Sequence, residues 1–247
     1  MRVTLERHAA VAVLRMDRPE ALNAFDHPMI HQMREHVAEI RADATIHAVV
    51  LAGAGRSFCT GVDIKLLEAG DIGLDWFREW HHMTTEIENL DIPVVAAVQG
   101  HCLGGGVMLT LAADYRIAAD DLQIGFGAVR HGILPGTAPY LLADTVGAVA
   151  ARRLCLFGEY VSAGEALRIG LVDRLVPTNR LQPAAHALAE RAASFSTDTL
   201  RELKRLMRVR PALDNAGYEA AYLAAQQRCL DQLGNFRAAR AAPDPQP

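Results

Sequence analysis

Gln99-Gly100-His101-Cys102-Leu103-Gly104-Gly105-Gly106-Val107-Met108 follows a β-rich apolar run, Pro93-Val94-Val95-Ala96-Ala97-Val98, and leads into an apolar stretch from Val107 to Ala113 that predicts a buried helix. The first N–H groups of a helix have no intrahelical partner. Glycines there let a ligand oxygen come close, and the positive end of the helix dipole favours negative charge on that oxygen. The stretch therefore reads as half of an oxyanion hole. The alternative is a turn whose glycines serve only close helix packing. Neither G-x-G-x-x-G nor G-x-x-x-x-G-K-[ST] is present, so the dinucleotide and P-loop readings lose their defining residues.

Working outward, the N-terminus alternates over 3–7 and 11–16 like a hairpin, and a polar loop, Arg18-Pro-Glu-Ala-Leu-Asn-Ala24, follows. Asp26 and Pro28 open a helix to about Ala42, with Met29, Met33, Val37 and Ile40 on one face. A strand at 47–51 precedes a second glycine-punctuated loop, Gly53 to Gly61, running into a helix at Val62-Asp63-Ile64-Lys65. Asp75 to Leu90 predicts a helix with Trp76, Trp80, Met83 and Ile87 on one side. Strands are predicted at 114–118, 122–125 and 172–176, and helices at 140–146, 149–157 and 162–169. Three helices, 180–195, 198–209 and 212–233, close the chain. Strands recurring between helices indicate an α/β core of ββα units.

With 247 residues, ordinary globular composition and a net charge of −4, the chain is expected to form one large domain with no electrostatic footprint for nucleic acid. Cys59, Cys102, Cys155 and Cys229 form no C-x-x-C, which argues against a zinc knuckle or a disulfide framework and for a reducing cytoplasm. No signal-peptide pattern or membrane-length apolar run is present. No metal site is expected, since His27 and His31 lack a third ligand. Residues 1–180 are expected to form the core, 181–237 a helical region, and the Pro/Ala-rich 238–247 a disordered tail. Stripes such as Leu200, Leu203, Leu206, Leu213, Tyr222 and Leu223 predict self-association.

The chain resembles the crotonase superfamily, the enoyl-CoA hydratase/isomerase-like proteins. The resemblance rests on 18–24; Phe58-Cys-Thr-Gly-Val-Asp-Ile-Lys65; Ile92 to Gly100 with 103–106; Ala113-Asp114; Gly132 with Pro135-Gly136; and Ser162-Ala-Gly-Glu-Ala166 with Gly170-Leu171-Val172. It implies a spiral of ββα units with a C-terminal helical oligomerisation region, assembled as a trimer or hexamer. It further implies a substrate that is an acyl-CoA or acyl-carrier thioester, whose CoA or phosphopantetheine is the only cofactor-like group. By that resemblance the N–H groups of Val62 and Gly105 receive the thioester carbonyl, with Ala21, Leu22, Thr60 and Lys65 near the CoA.

The departures bear on the reaction. Hydratases of the family carry one glutamate two residues past the third glycine, where this chain has Met108. They carry another before the Pro-Gly turn, where it has Ala128 counting back or Arg130 counting forward. Two-glutamate hydration is therefore not expected, and decarboxylation, isomerisation or another lyase step takes its place. His81, His82 and His131 are the candidate acid–base side chains, and Arg130 could hold a carboxylate. The other reading is a non-catalytic acyl-CoA-binding or scaffold member.

Overall fold

The computed structural model describes residues 1–209 and 212–241, with side chains as far as 233. Val3–His8 (β1) and Val11–Met16 (β2) form an antiparallel hairpin, and a short 3-10 turn at Pro19–Ala21 leads to α1 (His27–Ala42). Asp26 caps α1, its side chain accepting from the Met29 N–H. Ala48–Gly53 (β3), Ile64–Ala69 (α2), Leu74–Glu88 (α3) and Val94–Val98 (β4) follow, then His101–Leu103 (β5) and Gly105–Leu111 (α4). The remaining elements are Tyr115–Ala119 (β6), Gln123–Gly125 (β7), Ala138–Leu156 (α5), Tyr160–Ser162 (β8), Ala163–Arg168 (α6), Arg174–Val176 (β9), Leu181–Ala193 (α7), Thr197–Val209 (α8) and Asn215–Ala241 (α9).

The larger sheet has the order β1-β2-β3-β4-β6-β9 and is parallel from β2 onward; the smaller has the order β5-β7-β8. Both faces of the larger sheet are covered, so β3 and β4 are apolar and buried at every position. Alternate residues separate the two sides. Val13, Val50, Val95 and Ile117 pack with Leu181, Ala185 and Ala189 of α7, whereas Leu14, Leu51 and Ala96 join the main core under α1 and α3. Thus α7, expected with the C-terminal helices, covers the sheet. The segments after β3 and β4 each run beside the smaller sheet before a helix begins, which generates the ββα spiral.

Three local features differ from the sequence expectation. The strands β5 and β8 are only three residues long, too short for a period-2 pattern to show. The helices expected at 140–146 and 149–157 are one element, α5, kinked at Gly147 (φ 78°, ψ 157°). Helix α9 continues to Ala241, so residues 238–241 of the expected tail are helical; 242–247 lie outside the described residues.

Candidate active site

A cavity of about 520 Å³ opens between the 3-10 turn at Pro19–Ala21, the loop 60–65, α3, the glycine turn and the segment 127–137. Its position follows from three local constraints. The Asn23 side chain, fully buried, donates through Nδ2 to the carbonyls of Ala54, Ser57 and Phe58, and its Oδ1 accepts from the Arg18 N–H. That network fixes Leu22 and Asn23 in left-handed conformations (φ 52° and 56°) and sets Ala21 and Leu22 into the cavity wall. Next, the Cys59 N–H donates to the His101 carbonyl and the Leu103 N–H to the Cys59 carbonyl, a short parallel bridge that holds the loop before Val62 against the strand before Gly104. Finally, the Phe25 N–H donates to the Gly61 carbonyl and the Asp63 N–H to the Phe25 carbonyl.

Those bonds flank Val62 but leave its own N–H without an acceptor among the described residues, and the Gly105 N–H at the first position of α4 is likewise without one. Both residues line the cavity. A Cβ on Gly61 would stand 2.6 Å from the Gly105 nitrogen, so the two loops touch here through backbone alone. The glycines divide the work. Gly104 supplies a left-handed φ of 53°; Gly105 lies on the Trp80 indole, where a Cβ would be 2.6 Å from Cζ2; Gly106 lies on the Cys59 carbonyl, where a Cβ would be 2.1 Å away. Close packing and an accessible helix start therefore coexist, and the positive φ belongs to Gly104, not Gly105.

Arg18 closes one end. Its Nη1 donates to Asp63 Oδ2 at 2.8 Å and to the Ala24 carbonyl at 2.9 Å. Burial pushes the Asp63 carboxyl up, but Arg18 and the N–H groups of Lys65 and Leu66 outweigh it and hold the group below the usual carboxylate range. Asp63 also caps α2 through the Lys65 N–H. Burial pushes the Cys59 thiol up to about 12, against the lowering effect of the Gly61 N–H that donates to its sulfur. Cys59 is a neutral packing group, not a nucleophile.

Of the residues singled out by sequence, Ala21, Leu22, Thr60, Val62, Lys65, His81, Gly105, Met108, Ala128 and His131 line the cavity. His82 and Arg130 do not. His82 is exposed on α3 beside His81, outside the lining. Arg130 stands outside the lining, behind Tyr160: its Nη2 donates to the Gly158 carbonyl at 2.6 Å and its guanidinium covers the Tyr160 ring at 4.6 Å. Of the two positions weighed for the second glutamate, Ala128 is thus the one in the wall. The lining carboxylates are Glu20, exposed, and Asp63, paired with Arg18. A hollow of about 190 Å³ adjoins across His81, Met108 and Thr137 and adds Glu88, two helical turns (roughly 10 Å) beyond His81.

The sequence reading missed Trp76, Trp80 and Tyr160 as site residues. Trp76 and Trp80 stack at 5.3 Å, and Trp80 meets Phe25 edge-on at 4.9 Å, forming the support beneath Gly105. Their helical spacing was visible, but it carried only a core-facing stripe. Tyr160 heads a strand too short to be recognised.

Comparison with known proteins agrees with this fold. The family model described as enoyl-CoA hydratase/isomerase matches residues 6–238. A short-chain-enoyl-CoA hydratase of Clostridium acetobutylicum is 36% identical over 203 residues, covering 78% of this chain and 75% of that protein. Among solved structures, an enoyl-CoA hydratase from Bacillus anthracis superposes with a TM-score of 0.89 at 26% identity, covering 97% of this chain and 96% of the other. An enoyl-CoA hydratase of Mycobacterium smegmatis does so with a TM-score of 0.88 at 25% identity, covering 97% of each chain.

Proposed function

Because the chain belongs to the enoyl-CoA hydratase/isomerase family, we propose that it binds an acyl-CoA or acyl-carrier thioester, places the carbonyl oxygen between the N–H groups of Val62 and Gly105, and stabilises the enolate of a non-hydratase reaction. Decarboxylation, isomerisation or another lyase step would each form that enolate. One observation carries the reading: the cavity keeps two unpaired N–H donors at touching loops, while its acyl end presents Met108 and Ala128 and no carboxylate. Two such donors aimed at one oxygen stabilise the charge that develops when a proton or a carboxylate leaves the α-carbon. Activation of water by paired glutamates needs side chains that neither position has. His81 and His131 are the acid–base groups within the lining. An enolate held this way calls for no metal or redox group.

Apolar side chains exposed along α8 and α9, Leu203, Met207, Leu223 and Leu230 among them, support assembly as a trimer or hexamer. Light scattering at micromolar concentration should give a multiple of three; a stable monomer would count against it. The reaction is tested by assaying crotonyl-CoA hydration beside decarboxylation of malonyl- and glutaconyl-type thioesters, with solvent deuterium exchange at the α-carbon of a bound acyl-CoA. Exchange with little hydration is expected. Rapid hydration would overturn the reading, and tight binding with neither exchange nor turnover would mark a binder that has lost its chemistry.

A further inference from the structure

The acyl end of the cavity contains a fixed hydrogen-bond donor that the reading above does not use. Leu103, Gly125 and Tyr160 stand in one row across β5, β7 and β8, which places Tyr160 two strands, roughly 10 Å, from the residue that precedes the glycine turn. The two glycines on its path are bare for a reason. A Cβ on Gly125 would meet the Glu159 carbonyl at 2.1 Å and the Tyr160 ring at 3.0 Å, and a Cβ on Gly127 would stand 2.3 Å from the Tyr160 hydroxyl oxygen. The phenol therefore lies over Gly127, beside Ala128, in the lining of the cavity, and its hydroxyl has no hydrogen-bond partner among the described residues. The Arg130 guanidinium covers the ring and is tethered to the Gly158 carbonyl, so the ring is held before any ligand arrives.

We propose that the Tyr160 hydroxyl is the donor that recognises a carboxylate on the acyl group, so that the substrate is the thioester of a dicarboxylic acid. The assignment rests on the acyl-thioester reading above and deepens it by naming the substrate class. Tyr160 is exposed to the cavity, so its unpaired hydroxyl is hydrated until a ligand covers it; an alkyl chain laid over it would leave it desolvated and unbonded, whereas an oxygen on the acyl group gives it an acceptor to donate to. The Arg130 charge behind the ring makes an anionic oxygen the better partner. Neither carboxylate of the lining competes for this place, since Asp63 is bound to Arg18 and Glu20 stands exposed in the turn at Pro19–Ala21.

Titration of the full-length protein with succinyl-CoA and butyryl-CoA, which differ at the acyl terminus, tests this. The wild type should bind succinyl-CoA at least about tenfold more tightly. Tyr160→Phe keeps the ring and its Arg130 contact, and should weaken succinyl-CoA binding by roughly ten- to a hundredfold more than butyryl-CoA binding, so that the preference is lost. Gly127→Ala, which displaces the hydroxyl without removing it, should lose the preference as well, with circular dichroism confirming the fold. No preference in the wild type, or a preference surviving Tyr160→Phe, would overturn the assignment of Tyr160 alone. Failure of the wild type to bind either thioester would bring down the acyl-thioester reading and this inference with it.

Discussion

The wall of the cavity around Val62 and Gly105 is made of backbone, whereas the facing wall from Gly127 to Thr137 acts through side chains, and the two differ in how much a substitution can change. The first is held by the Asn23 amide, the backbone hydrogen bonds of Cys59 with His101 and Leu103, and glycine contacts that leave no space for a methyl group. Its chemistry is set by register, which any sequence with this fold must reproduce. The second is a 3-10 turn at Ala128–His131 followed by a Pro-Gly turn, with Val129 and Leu134 exposed. Its chemistry depends on which side chains stand at Met108, Ala128, His131 and Tyr160, and these can be exchanged without moving a hydrogen-bonded strand. On the function proposed above, the fold keeps a backbone site for a thioester carbonyl and leaves the choice of reaction to the second wall.

The sharpest way to break this contrast is at Gly105. Gly105→Val puts a branched Cβ into Trp80 and Gly61, and should lower turnover by the 10²–10³-fold that removal of one oxyanion donor costs. Overpacking against the indole should also cost about 1–3 kcal/mol of stability. Circular dichroism and thermal melting separate the two effects. Normal activity in a folded variant would reduce the glycine turn to packing. On the second wall the complementary experiment adds function. Met108→Glu together with Ala128→Glu should raise crotonyl-CoA hydration by about a hundredfold over the wild type, the contribution of a general acid–base group. Absence of any gain would mean that those positions do not face the reacting carbons.

The backbone wall was legible in the sequence because its signals are local: adjacent glycines after an apolar strand, and Phe58 to Lys65 as one run. The order of strands and helices likewise indicates ββα units, and the family resemblance implies their spiral. The second wall was less legible because it is assembled by pairing across long stretches of chain. Tyr160 reaches the cavity through its register with Gly125 and Leu103, which leaves no periodic trace, whereas the helical spacing of Trp80 marks it as core-facing without showing that it lies beneath Gly105. The sequence offers Arg130 as a group that could hold a carboxylate, but a 3-10 turn sends neighbouring side chains in different directions, and the Gly158 carbonyl claims its guanidinium.

A histidine series sharpens the second wall by a smaller amount. His81 and His131 line the cavity and His82 does not. His81→Ala or His131→Ala should lower kcat, one of them by about a hundredfold if it transfers the proton, while acyl-CoA affinity stays within a few fold. His82→Ala, on the same helix as His81 but outside the lining, should leave both constants within twofold. A large loss in the His82 variant would show that α3 is turned differently in the working enzyme.

The smallest expected effect concerns what braces the second wall from behind. Glu165 on α6 accepts from Arg153 on α5 and from Arg168, and these two guanidinium groups, Arg168 foremost, hold its carboxyl down to about 2. Arg153 also pairs with Glu159, the residue before Tyr160, so the cluster ties β8 to α5 and α6. Because the folded pKa lies below the unfolded one, the contribution to stability is complete above about 4.5 and is lost as pH falls from there toward 2. The pairs are solvent-accessible, so the shift in Tm should be small and should shrink further in high salt. Glu165→Gln should remove that part of the acid dependence while leaving the Gly105 turn and its thioester affinity untouched at neutral pH. A Glu165→Gln variant whose melting profile between pH 5 and 2 matches that of the wild type would mean that apolar packing, not this charged cluster, braces the second wall.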